Sequence, residues 1–204
     1  MTGEVPLAVR GPALALRYPT DTDAPALLEL GSDEEVTRWF SWGPYERLDQ
    51  PLAYFASLER QRREGTRLEF LVVDAEDRPL GVTGLSEFSP RDRRAVVGTW
   101  FGRAHWGTGV NRESKALVLA LAFRALGLLR VTAWANPANG RSLAALERLG
   151  FVHEGVLRGW HVHRGVPQDV AVLRVMADEW ERGPLGAVPV TFEGTAPEAF
   201  VGRP

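Results

Sequence analysis

Short apolar runs separated by polar turns dominate the first half of the chain. Leu14 to Tyr18 predicts a strand, and Asp21 and Asp23 then offer caps for a helix carrying Leu27, Leu28 and Leu30. A second helix is expected from about Pro51 to Arg63. Phe70 to Val73 and Pro79 to Phe88 flank the polar turn Asp74 to Arg78 and so predict a hairpin, which Val96 to Phe101 extends into an antiparallel meander. The stretch Asn111 to Leu126 predicts a largely buried helix, because Leu117, Leu119, Leu121, Phe123 and Leu126 leave it little polar surface, and Gly127 is placed to stop it.

Beyond that helix, Leu129, Val131 and Ala133 alternate with Arg130, Thr132 and Trp134, the period of a strand. A helix over Pro137 to Leu149, ended by Gly150, and strands over Val152 to His163 and Val170 to Met176 follow. Gly183 to Pro204 is rich in glycine and proline and predicts an extended arm or a frayed end. The expected fold is therefore α/β: one domain over residues 1–182 with a mixed, mostly antiparallel sheet flanked by helices, and a tail over 183–204.

Composition narrows the function. Of 204 residues 45% are hydrophobic and 25% charged, and the formal net charge of -2 offers no basic excess for nucleic acid. The absence of cysteine excludes disulfides, thiolate metal sites and a cysteine nucleophile. No apolar run approaches the ~20 residues that span a bilayer. Met1 to Glu4 lacks the features of a secretory signal, so the cytoplasm is the expected address. Lys115 is the only lysine and isoleucine is absent, a pattern read as coding bias.

The most informative motif is Trp106-Gly107-Thr108-Gly109-Val110-Asn111, between a predicted strand and a predicted helix. Glycines admit close backbone approach, and the first turn of a helix presents free N–H groups to an anion, so the expected guest carries phosphate. A dinucleotide site lacks its third glycine here, and a P-loop lacks its Gly-Lys-Ser/Thr. Downstream, Asn139-Gly140-Arg141-Ser142 leads into Leu149-Gly150-Phe151. In order and spacing these pieces resemble the GNAT superfamily of acetyl-CoA-dependent N-acetyltransferases, and within it the RimJ/RimL-like ribosomal-protein branch, over most of residues 10–180. Against the family loop Gln/Arg-x-x-Gly-x-Gly/Ala, Gly109 matches while Trp106 and Asn111 depart from it.

The resemblance implies that backbone N–H groups of Trp106, Gly107, Thr108, Gly109, Val110 and Asn111 hold the pyrophosphate of acetyl-CoA, with Arg103, Arg112 or Arg141 as charge partners. It implies that Asn139 and Ser142 line the pantetheine arm, and that strands near Trp100, Phe101 and Trp134 splay to admit it. A backbone N–H near Trp100 to Gly102 would stabilise the oxyanion. The tyrosine acid of many relatives falls at Leu146, which leaves protonation of the departing thiolate to Ser142, to water or to no group.

The acceptor amine must also lose a proton, and Glu87 is the first candidate base, ahead of Asp169 and His161. Each has an ordinary alternative as a turn, ion-pair or strand residue. Asn139 and Ser142 could equally cap a helix, Trp106 could anchor its loop, and Trp39, Phe40, Trp42 and Tyr45 could form core or substrate wall. His161 and His163 share one strand face, yet no third ligand has an informative spacing, so no metal is expected. The resulting expectation is direct attack by a protein N-terminal or small primary amine on acetyl-CoA in a ternary complex. A homodimer is common in such a family. The alternative is a catalytically silent module that binds CoA and serves as a sensor or partner-binding domain.

Overall fold

The computed structural model describes residues 5–163 and 165–201. Among the described residues, nine strands form one open sheet: β1 (Ala8–Arg10), β2 (Ala15–Arg17), β3 (Arg67–Val73), β4 (Pro79–Ser89), β5 (Arg94–Phe101), β6 (Arg130–Ala135), β7 (Val152–His163), β8 (Val166–Met176) and β9 (Thr191–Glu193). Their spatial order is β7-β8-β6-β5-β4-β3-β2-β1-β9, and every neighbouring pair is antiparallel except β5 with β6. The expected mixed, mostly antiparallel sheet is thus observed.

Helices cover both faces. On one lie α1 (Ala24–Gly31), α2 (Glu34–Thr37) and α3 (Asp49–Arg63), whose Leu27, Val36 and Phe55 pack on Leu71, Val73, Val82 and Trp100. The other carries α4 (Val110–Ala120), α5 (Gly140–Arg148) and α6 (Ala177–Arg182) over the larger core. The apolar run after the glycine loop forms α4 and then a single π turn over Leu121–Ala125, in which the Leu126 N–H donates to Leu121 O at 3.0 Å. Every residue from Ser114 to Ala122 is buried, so this helix is covered on all sides. At its start Glu113 accepts the N–H groups of Ala13 and Leu14 at 2.7 and 2.8 Å, which ties the turn between β1 and β2 to it.

Two departures from the sequence pattern have physical causes, one local and one tertiary. The helix expected from Pro137 begins at Gly140, because Asn136 first closes a turn by accepting the Ala138 N–H at 2.9 Å. The tail is extended but anchored. β9 pairs with β1, the Arg112 and Arg124 guanidinium groups donate to Pro184 O and Gly186 O, and Leu185 and Phe200 are buried in the core around α4. A segment of 22 residues with four glycines and four prolines carries little periodicity, so only tertiary contact reveals this role.

Burying one leucine and one phenylalanine is worth about 3–6 kcal/mol in transfer free energy, a large share of the ~5–15 kcal/mol that holds a domain folded. Truncation after Arg182 is therefore expected to lower the urea midpoint strongly or to leave the chain unfolded. An unchanged midpoint would show that the tail is dispensable.

Candidate active site

The parallel pairing of β5 and β6 runs only from Arg94↔Arg130 to Val97↔Ala133. Beyond it β5 stays on β4 as far as Gly81↔Phe101, while β6 stays on β8 as far as Ala135↔Ala171. Each strand follows its outer neighbour, and a wedge opens between Gly98–Phe101 and Trp134–Ala135. Backbone groups along such a wedge have no ladder partner and can bond an inserted extended ligand. The Trp106 indole Nε1 donates to Phe101 O at 3.0 Å and fixes the end of β5 to the following loop.

That loop comprises a 3-10 turn (Arg103–His105) and the glycine run. Gly107 and Gly109 take φ values of 76° and 95°, and a Cβ at either would meet nothing within 4 Å. Glycine is needed there for backbone conformation, and the space above the loop is open. Among the described residues, the N–H groups of Gly107, Thr108, Gly109, Val110 and Asn111 find no acceptor, while those of Arg112 and Glu113 close onto Gly109 O. Five consecutive free donors at the start of α4 fit a pyrophosphate.

The arginines are already engaged. Arg103 pairs with Asp33 at 2.9 Å, Arg112 reaches the tail, and Arg141 lies 3.3 Å over the Trp106 ring. Arg141 brings its charge to the loop while Trp106 serves as an anchor, packed against both cores. On α5, the Asn139 side chain accepts the Ser142 N–H at 3.2 Å as an N-cap. The Ser142 hydroxyl makes no hydrogen bond to a described residue. Leu146, at the acid position suggested by the resemblance, is buried in the core.

Glu87 is not brought to the wedge. The antiparallel register sets Gly81 to Gly84 beside the wedge and puts Glu87 past Ser86↔Val96, toward the far end of β5. There it is exposed, with a φ of 50° in a bulge between Ser86 and Ser89. Asp169 is also occupied: its Oδ1 accepts the Gly159 N–H at 2.8 Å and holds a bulge in β7. His161 packs edge-on against Trp134, with centroids 5.5 Å apart, and Trp160 lies beside the same ring at 6.0 Å. No three of His, Asp and Glu gather as a metal site among the described residues.

Two groups near the wedge escaped the sequence reading. On the face of α1 to α3, Glu69 in β3, Gly84 in β4 and Gly98 in β5 stand in one register row. The Tyr54 hydroxyl donates to Glu69 Oε2. Phe40, Trp42 and Tyr45 belong to the same face, Trp42 lying 5.1 Å from both Tyr45 and Trp100. Phe40, Trp42 and Tyr45 thus pack as part of a satellite core on that face. On the opposite face, Lys115 in α4 donates to Thr99 Oγ1, which contacts Thr83 Oγ1 at 2.7 Å. The single lysine of the chain, placed directly before the apolar run Ala116 to Ala122, was the available signal for Lys115; no comparable local signal marks Glu69.

Comparison with known proteins agrees with this geometry. Residues 13–152 match the model of the acetyltransferase (GNAT) domain. The N-acetyltransferase YoaA of Bacillus subtilis, whose name calls it uncharacterized, is 32% identical over 80% of this chain and 93% of its own. The likewise uncharacterized N-acetyltransferase p20 of Bacillus licheniformis is 29% identical over 82% of this chain and 94% of its own. Among solved structures, spermidine N-acetyltransferase from Vibrio cholerae in complex with CoA and spermine shares the fold, with a TM-score of 0.70 and 23% identity over 82% of this chain and 97% of that one. The chain belongs to the GNAT acetyltransferase family. Proteins of this class transfer acetyl groups from acetyl-CoA to amines.

Burial lowers the Lys115 ammonium pKa to about 7, well below that of an unfolded lysine. Between about pH 7 and 10 the unfolded chain then binds a proton that the folded chain does not, so this group makes stability rise with pH across that window and fall as pH drops toward 7. Urea denaturation of the wild type and Lys115→Met at several pH values should show the wild type gaining on the variant across the window. A constant difference would mean that Lys115 stays charged when folded.

Proposed function

We propose that this protein transfers the acetyl group of acetyl-CoA to a primary amine, of a protein N-terminus or a small molecule, by direct attack within a ternary complex. The observation that carries this reading is the alignment of five free N–H groups at α4 with the wedge between β5 and β6. The pyrophosphate would bind at Gly107 to Asn111, and the pantetheine arm would run along the wedge past Asn139 and Ser142. The thioester would then meet the acceptor near Gly98.

The face that receives the amine is separate from the face that receives CoA. Both substrates can therefore be held at once, which supports direct transfer over a covalent relay. Trp106, replacing the usual polar anchor and stacked under Arg141, supports a place in the RimJ/RimL-like branch. Its proposed compartment is the cytoplasm, where acetyl-CoA is at hand; no helix among the described residues is long and apolar enough to cross a membrane. A homodimer would use the β7–β8 hairpin, where Val156, Trp160, Val162 and Val166 are exposed, and a sedimentation mass of one chain would remove that assignment.

Acetyl-CoA at ~100 times its dissociation constant should stabilise the fold by about 2.7 kcal/mol, measurable as a thermal shift. Gly109→Val, which forces a branched side chain onto φ 95° at the cradle, should abolish most of that shift. Failure of acetyl-CoA and of CoA to shift the wild-type protein would overturn the reading. An acetylated enzyme species in intact-mass spectra would replace direct transfer with a covalent route.

A further inference from the structure

The acceptor face of the wedge has a built anionic centre. Glu69 stands one register step from Gly84, which stands one step from Gly98, the first residue of β5 beyond its pairing with β6. A Cβ on Gly84 would lie 2.4 Å from Glu69 Cγ, so the glutamate stem lies across that glycine. A Cβ on Gly98 would meet nothing within 4 Å. The two glycines form a floor leading from the carboxylate to the open wedge.

The carboxylate is held rather than free. Tyr54 on α3 donates to Oε2, and the Glu69 side chain is only 13% exposed. Burial, followed by the Glu69 charge, pushes the Tyr45 hydroxyl up to about 12, and the same two causes hold Tyr54 well above its ordinary value. Tyr54 is therefore a neutral donor to Glu69 at neutral pH, and Tyr45 stays neutral near it. The remaining charged neighbour is Arg67, whose Nη1 is 3.7 Å from Oε1 and whose side chain is 39% exposed, a loose pair with little hold on the carboxylate.

Around this centre the walls are aromatic. Tyr45, Trp42 and Trp100 follow one another on one side of Gly98, and Trp134 with Trp160 stands across the wedge. By strand alternation Trp134 shares the face of Gly98, since Val97 and Ala133 both turn to the other core. Rings and one carboxylate together favour a cation on an apolar stem.

We propose that Glu69 is the acceptor-binding carboxylate and proton acceptor of this protein, selecting a primary amine that arrives as an ammonium ion on an apolar or aromatic stem. This assignment rests on the acetyltransferase reading and names its substrate class. The ammonium gives one proton to Glu69, which leaves a neutral amine beside the wedge. The amine lone pair then forms the C–N bond to the thioester carbonyl carbon. The C–S bond breaks, the sulfur keeps that electron pair, and the proton shed by the new amide neutralises it to the CoA thiol. Glu69 returns its proton to solvent.

Calorimetry with the CoA-loaded protein tests this, using phenethylamine and its isostere 2-phenylethanol as probes. The amine should bind about tenfold or more tighter than the alcohol in the wild type, and Glu69→Gln should erase that preference while leaving the acetyl-CoA thermal shift intact. Tyr54→Phe should weaken the preference without erasing it. With phenethylamine as acceptor, Glu69→Gln should lower kcat/KM by about 10²-fold. Equal binding of the two probes, binding of neither, or a preference that survives Glu69→Gln would overturn the assignment. The retained CoA shift in those cases leaves the acetyltransferase reading standing, whereas loss of that shift in the wild type removes both.

Discussion

A helix without a polar face must be covered from every side, and α4 imposes that demand on the whole molecule. Its residues from Ser114 onward are buried, so the sheet takes one flank and the segments around Trp180 and Leu185 take another. Glu113 secures the turn between the first two strands to the start of the same helix. These contacts fix the glycine loop as a rigid continuation of the core. A cradle of backbone N–H groups is useful to a ligand only when its donors are already oriented, because orienting them on binding would consume affinity.

The wedge next to that cradle arises from competition between neighbours. β5 is bonded to β4 along nearly its whole length and β6 to β8, while their mutual pairing covers only four residue pairs. The twists of the two half-sheets can then diverge where the outer ladders dominate. Trp106 secures the opening by holding Phe101 O from the loop side. One architectural decision thus yields both an open slot between two strands and two chemically distinct faces, one lined by α4 and the other by aromatic rings and Glu69.

The elements were largely legible in the sequence, because α4, the β3–β4 hairpin and the glycine loop each announce themselves through local periodicity or punctuation. The row of unpaired N–H groups in that loop was legible for the same reason: adjacent residues make it. Glu69 was not, since its significance comes from a row of three residues on three strands, and register is invisible before the strands are paired. Glu87 illustrates the converse. Its place at the end of a strand was correctly seen, but only the antiparallel pairing tells which end of β4 faces the wedge, and it is the other one. The tail escaped because its anchoring depends on two buried side chains and a three-residue strand rather than on a repeating pattern.

Lys115 bears on more than the stability of the core. It is the sole lysine among 204 residues, and only 3% of it is exposed. The exterior of the protein therefore carries its positive charge on guanidinium groups, which are poor nucleophiles toward thioesters because they remain protonated. A catalyst surrounded by a reactive acyl donor offers that donor no side-chain amine on its own surface. Its exterior is chemically quiet toward the very reaction its interior is arranged to promote.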